Sequence, residues 1–246
     1  MKYSWNAPPT QPLFLRKDVH IWRAGLDLPG KNIEKLRETL ASDERIRADH
    51  FRFERDRSRF IAARGILRLI ISRYLSVEPG AIRFIYAKEG KPKLQKALGK
   101  TGIQFNLSHS EGLALYVFAW NREVGIDIEY MREISQIEQI VEQFFSVRER
   151  VLFGALPLRE KKETFFNWWT RKEAFIKAVG EGLSYPLWEF DAALAEEKSL
   201  DSSTILGGAQ EGPGWSMWDV RPADGFTGAV VVKGRGWDVH CWQWPG

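Results

Sequence analysis

The chain has 246 residues, 44% of them hydrophobic and 28% charged, with a formal charge of +4. These values exclude a disordered chain and leave room for one large domain or two small ones. A single cysteine, Cys241, excludes an internal disulfide and a cysteine-based zinc site, as expected of a protein in the reducing cytoplasm.

Residues 1 to 11 are polar and Pro-rich, which predicts no export signal. The longest apolar run, Leu113 to Trp120, is far below the ~20 residues of a membrane helix, so no membrane partner is expected. Eleven Trp and fifteen Phe provide for a substantial core.

Residues 32 to 41 read as a helix. "SDERIRADHFRFERDRSRFIAARGILRLIISRYL" continues as a longer helical region with Phe60, Ala63, Leu67, Ile70, Ile71 and Tyr74 as its core stripe. Nine arginines crowd residues 45 to 73 against Asp49, Glu54 and Asp56, a balance that suits an anionic partner or a plainly solvated basic face. Nucleic acid, a phosphorylated small molecule and an acidic protein are the candidate partners. Arg64, four residues after Phe60, falls near the apolar stripe, with Arg57 and Arg68 on the same edge. An arginine there needs an anion, from a protein carboxylate or from a ligand.

Pro79-Gly80 breaks the chain. "IRFIYA" then reads as a strand and "KEGKPKL" as a Gly/Pro turn carrying Lys88, Lys91 and Lys93. "IQFNLSHS" and "LALYVFAW" read as a hairpin about Ser108-His109-Ser110-Glu111-Gly112. "VGIDIEY" alternates as a strand, a helical region spans about 135 to 153, and the helix containing "WTRKEAFIK" follows. Short strands separated by Gly and Pro occupy the rest of the chain from Glu189. Each half holds a long aromatic-rich helix with a basic edge followed by strands, which predicts a two-lobed α+β protein.

The period of two in "VGIDIEY" turns Asp127 and Glu129 to one face, their Cα atoms roughly 6.5 Å apart. Such a pair either converges on a cation or is simply the wet face of a half-exposed strand. Glu173 supplies a third carboxylate, or else an i,i+4 ion pair with Lys177 contributing only ~0.2–0.5 kcal/mol. Oxygen ligands without His or Cys suit Mg²⁺, which shares its shell with substrate phosphates. A nucleophilic Ser108–His109 pair is disfavoured, because catalytic triads assemble from separate segments. The hydroxyl and imidazole suit hydrogen bonds to phosphate instead.

"GKP" at 90–92, "FNLSHS" at 105–110, "GIDIE" at 125–129, "FFSVRE" at 144–149 and "WTRKEAFIKAVGEGLS" at 169–184 occur in an order and spacing that resembles the Sfp-type 4′-phosphopantetheinyl transferases. The resemblance covers roughly residues 40 to 190. It implies a pseudo-two-fold pair of similar α/β lobes, residues 1–120 binding coenzyme A and 121–246 being the metal-binding, catalytic lobe, with the active site in the cleft between. It also implies Asp127, Glu129 and Glu173 as Mg²⁺ ligands. Arg47, Lys88, Gly90, Lys91, Ser108, His109 and Lys177 would contact coenzyme A, with Arg64 added from helix geometry.

The implied reaction transfers phosphopantetheine from coenzyme A to a serine of an apo acyl or peptidyl carrier protein, with Glu173 and Lys177 as base and acid and Asp127 as metal ligand. The resemblance implies no nucleic-acid partner, and the length suits a monomer carrying both lobes. Residues around Phe144 to Leu152 and the turn after Lys177 are the expected carrier-docking surface, unless both Phe residues are core. The rival readings are a Mg²⁺-dependent phosphodiester hydrolase and a basic polyanion-binding module.

Overall fold

The computed structural model describes residues 4–9, 16–86, 90–95, 102–180, 182, 185–193 and 214–245. Among them the first half of the chain supplies β1 (Asp18–Gly25), α1 (Gly30–Thr39), α2 (Ser42–Asp49), α3 (Glu54–Leu75), β2 (Phe84–Tyr86), β3 (Pro92–Leu94), β4 (Ile103–Ser110) and β5 (Leu113–Trp120). The second half supplies β6 (Val124–Tyr130), α4 (Ile137–Phe144), α5 (Val147–Gly154), α6 (Leu158–Val179), β7 (Trp215–Val220), β8 (Phe226–Lys233) and β9 (Asp238–Gln243).

Two sheets, ordered β4-β5-β1-β9 and β6-β8-β7, lie face to face, and β2-β3 forms a separate ribbon. Strand alternation builds the layers. On β5, Ala114, Tyr116 and Phe118 pack under α3, while Leu115, Val117 and Ala119 pack against Val124, Ile126, Ile128, Val230 and Val232 of the other sheet. On β8 the opposite residues, Ala229 and Val231, join Phe175, Ala174 and Ala178 of α6. The order is therefore helix, sheet, sheet, helix. The 22-residue helices α3 and α6 form the outer layers of two lobes built on one plan. Strand β9 is the exception to a division at residue 120. It pairs in parallel with β1, so the last strand of the chain completes the first lobe's sheet.

Local chemistry explains the connections. The β4–β5 hairpin turns at Glu111 and Gly112, both with positive φ, as a tight primed turn requires. The long helical run read from residue 42 onward breaks at 50–53 into α2 and α3. Folding α2 back lets its Glu44 reach two cations of α3: Arg64 Nε donates to Oε1 at 2.8 Å and Arg68 Nε to Oε2 at 2.6 Å. Likewise the region 135–153 divides at Ser146. That residue caps α5 in a reciprocal box with Glu149. Glu149 also meets Lys172 of α6 at 2.8 Å, both side chains fully buried, and Lys172 donates to the carbonyls of Leu187 and Phe190. This pair and its acceptors fix α6 against α5 and the chain that follows. Residues 92–94, read as part of a turn, pair with Phe84–Tyr86 as β3.

Gly125 sets how closely α6 lies on β6. A Cβ there would stand 2.0 Å from the Ala174 carbonyl oxygen and 2.4 Å from the Ala178 nitrogen, both backbone atoms of α6. Gly125→Ala is therefore expected to lower stability by at least ~2 kcal/mol through overpacking, measured as a fall in the urea midpoint. Gly25→Ala, where a Cβ meets nothing within 4 Å, serves as the tolerated control.

Candidate active site

Strands β4 and β6 run side by side and belong to different sheets. Their connection is made by β4 side chains at every second residue. Asn106 Oδ1 accepts from the Ile126 amide at 2.9 Å, Ser108 Oγ donates to Asp127 Oδ1 at 2.8 Å, and Ser110 Oγ accepts from the Tyr130 amide and donates to Glu129 Oε2, both at 3.1 Å. Asn106 and Ser110 were not singled out from sequence. The alternation N-x-S-x-S within "FNLSHS" was the available signal, since it places all three on one strand face.

Because Ile126 and Ile128 fill the space between the sheets, Asp127 and Glu129 face α6. Asp127 is 3% exposed, so this strand has no wet face at that point. Lys177 Nζ donates to Asp127 Oδ1 at 2.6 Å and to Ser108 Oγ at 3.1 Å. The carboxylate partner of Lys177 is thus Asp127 of β6 in the same lobe, and not Glu173 one turn back on its own helix. Asp127 Oδ2 is buried with no hydrogen-bond partner. Burial holds Glu173 above the ordinary carboxylate range; Lys177 opposes the shift, and Asp127 and Glu129 add to it. Glu129 is raised by burial and then by Asp127, against its Ser110 hydrogen bond. An orphaned oxygen and two carboxyls pushed toward the neutral form describe a set of oxygen ligands short of positive charge, which a hard divalent cation would supply.

These three carboxylates do not all approach within 4.8 Å of one another. Among the described residues only Asp18, His20 and His240 meet that spacing. Closing Asp127, Glu129 and Glu173 on one ion therefore requires rotation of Glu129 and Glu173, both half-buried, around a fixed Asp127.

A cavity of about 380 Å³ opens beside the cluster, with Lys177 at the boundary and Arg47, Arg64, Lys91 and His109 in its walls, together with Phe51, Phe60, Tyr86 and Gly90. Desolvation, then the cations Lys177 and Arg59, lowers the His109 pKa, so the ring is neutral at pH 7. Arg47 lies over the Phe60 ring at 5.3 Å and is exposed.

Two of the expected cofactor contacts carry other duties. The anion of Arg64 is a protein carboxylate, Glu44, and its second donor goes to the Tyr86 hydroxyl at 2.7 Å. Glu44 also serves Arg68, so one carboxylate faces two guanidinium groups and the cavity wall keeps a net positive charge. Lys91 donates to the backbone carbonyls of Val124 and Lys177, bracing β6 and the last turn of α6. Burial, followed by the Lys93 charge, brings its pKa down to about 8. Lys88 lies outside the described residues. Of the expected docking stretch, Phe145 is core and Phe144 packs edge-on against Trp169, whereas Val147, Val151 and Leu152 of α5 are exposed. Residues 181, 183 and 184 of the turn after Lys177 lie outside the described residues.

Residues 123–231 match the model of the 4′-phosphopantetheinyl transferase superfamily, and residues 30–119 match that of the 4′-phosphopantetheinyl transferase N-terminal region. The chain is 40% identical to 4′-phosphopantetheinyl transferase HetI of Nostoc sp. over 99% of its own length and 100% of that protein. It is 34% identical to 4′-phosphopantetheinyl transferase psf-1 of Bacillus pumilus over 68% of this chain and 69% of that one. With 4′-phosphopantetheinyl transferase Sfp of Bacillus subtilis it shares 30% identity over 67% and 70% of the two chains. Matches that together span both lobes, and likeness to HetI over the whole length, show that the chain belongs to the 4′-phosphopantetheinyl transferase superfamily.

Proposed function

We propose that the chain transfers the phosphopantetheine group of coenzyme A to a serine of an apo carrier protein, in the cleft between its lobes and with Mg²⁺ held by Asp127, Glu129 and Glu173. The observation that carries this reading is the junction at Lys177 of a cation-walled cavity with a cluster of three carboxylates, one of which has a buried unpaired oxygen. The cavity lies within the ~300–1,000 Å³ range of small-molecule sites. Arg47 suits the 3′-phosphate, Phe51 and Phe60 the adenine, and His109, Ser108 and Lys177 the diphosphate. When bound, Mg²⁺ supplies positive charge that steadies the diphosphate as its bridging bond breaks.

In the reaction, the carrier serine oxygen bonds to the β-phosphorus while the bond from that phosphorus to the bridging oxygen breaks, releasing adenosine 3′,5′-bisphosphate. Glu173 accepts the serine proton, a role suited to a carboxyl that desolvation makes more basic. Lys177, already donating to Asp127 and Ser108, redirects a proton of its ammonium toward the departing phosphate. Neutral His109 donates one hydrogen bond without adding charge. Val147 and Val151, one turn apart on α5 and each 69% exposed, with Arg148 beside them, suit an acidic carrier helix that carries apolar residues. A single chain carries both lobes, which fits action as a monomer. Among the described residues no helix is long and apolar enough to cross a membrane, and a cytoplasmic location is part of the same proposal.

Incubation with coenzyme A, Mg²⁺ and a panel of apo carriers, followed by mass spectrometry of the carrier, is expected to show a phosphopantetheine adduct; unmodified carriers throughout would reject transfer. Hydrolysis of coenzyme A without any carrier adduct would favour the hydrolase instead.

Glu173→Gln is expected to reduce transfer on the order of 10²–10⁴-fold. Its stability at pH 7 should be equal to or above that of the wild type. A carboxyl whose folded pKa is raised contributes stability below its unfolded value and loses it as pH rises through the folded value. In the wild type the acid limb of the rate profile should lie above the ordinary glutamate pKa and move to lower pH as Mg²⁺ is raised. An acid limb unaffected by Mg²⁺ would separate Glu173 from the cation.

Lys177→Met leaves Asp127 buried without its cation and is expected to cost about 3 kcal/mol of stability. Adding Asp127→Asn should recover most of that loss, as read in a double-mutant cycle from urea unfolding, while transfer remains lost in all three variants.

A further inference from the structure

We infer a second metal site, for a zinc-class divalent transition ion, formed by Asp18, His20 and His240 where the first and last strands of the chain meet. The parallel register of β1 and β9 places His20 opposite His240 and Trp22 opposite Trp242. Period-two alternation then puts Asp18 on the same face as His20. One ligand atom from each of the three residues lies within 4.8 Å of the other two. His20 Nε2 stands 3.6 Å from Asp18 Oδ2, and His240 Nε2 stands 3.7 Å from Asp18 Oδ1. These separations exceed those of an N–H···O hydrogen bond. They lie close to the roughly 3.4 Å edge of a tetrahedron whose centre makes zinc bonds of about 2.1 Å to nitrogen and oxygen.

The surroundings hold the ligands in that pose. The other nitrogen of His20, Nδ1, lies 2.8 Å from the Tyr74 hydroxyl, which also accepts from Trp22 Nε1 at 2.8 Å. Fixing the distal nitrogen of a ligating imidazole in this way orients the ring and sets which nitrogen faces the metal. Trp242 stacks on the His240 ring at 5.9 Å with an interplanar angle of 3°, and meets His20 edge-on. Asp18 and His20 are buried, whereas the His240 side chain is 42% exposed, which leaves a route of entry. The neighbouring cation Arg73 is drawn over the rings of Trp22 and Trp244.

Two imidazole nitrogens and one carboxylate select a zinc-class ion over Mg²⁺, which prefers oxygen. None of the three residues lines the cleft. The consequence is structural. Among the described residues, strand β9 pairs along its length with β1 and is otherwise met by an isolated parallel bridge from Asn6 to Trp242, and a shared ion would clamp the end of the chain to its beginning.

The test uses the full chain, stripped with a chelator and kept in excess Mg²⁺ so that the carboxylate cluster is filled. Titration with Co²⁺ should give intense visible absorption of the tetrahedral type, saturating at one equivalent, and Zn²⁺ should abolish it by displacement and raise the melting temperature. His240→Ala, at the exposed edge of the site, should lose both the absorption and the Zn²⁺-dependent shift while keeping wild-type transfer. Asp18→Asn provides a second loss of the same signals. Glu129→Gln should keep both signals. Absence of the absorption in the wild type, or its survival in His240→Ala and Asp18→Asn, would overturn the site.

Discussion

The hydrogen bonds that Asn106, Ser108 and Ser110 extend from β4 to β6 join two sheets that share no backbone ladder, and they do so where the chemistry is gathered. Each bond has a side chain on one strand and a backbone amide or carboxylate on the other. Shortening Asn106 to alanine would therefore leave the buried Ile126 amide on the opposite lobe unmatched. The same seam decides where α6 can lie. Gly125, Ala174 and Ala178 keep the helix close to β6, and that closeness lets Lys177 reach Asp127 and, across the lobe boundary, Ser108.

Packing and charge are in tension at this point. Three carboxylates and one ammonium share a partly desolvated pocket, and burial raises Glu129 and Glu173 while leaving Asp127 Oδ2 without a donor. A sequence optimised for stability alone would replace such a group with apolar residues of the same volume. Elsewhere the buried charges are matched, in the fully buried Lys172–Glu149 pair and in the Glu44 bridge to Arg64 and Arg68. Lys172 and Glu173 adjoin on α6 yet turn opposite ways. One anchors the helix to its own lobe and the other lies toward Asp127 and Glu129.

Much of this was legible before any coordinates. The alternation of "VGIDIEY" sorted Ile126 and Ile128 from Asp127 and Glu129, and the helical stripe of Phe60, Leu67 and Ile71 identified the core face of α3. The partners were less legible, because a partner is chosen by approach in space. Arg64 needed an anion on sequence grounds, and both a protein carboxylate and a ligand met that need; the fold of α2 onto α3 supplied Glu44. Lys91 read as a coenzyme A contact, and the fold adds two carbonyls of the other lobe as acceptors of its ammonium. Phe145 read as either docking surface or core, and the turn at Ser146 buried it.

By itself the sequence determined the periodicities, hence which side chains share a face, and the ordered set of short segments that marks the family. Those properties are local, set by strand and helix geometry over a few residues. Tertiary structure decided that both faces of β6 are buried, that Lys177 pairs with Asp127, and that the three carboxylates stand apart around a fixed Asp127. It also brought His240 beside Asp18 and His20 through the parallel pairing of β9 with β1. More than two hundred residues separate those partners along the chain. No local pattern can encode such a meeting, because it depends on where the whole chain has gone in between.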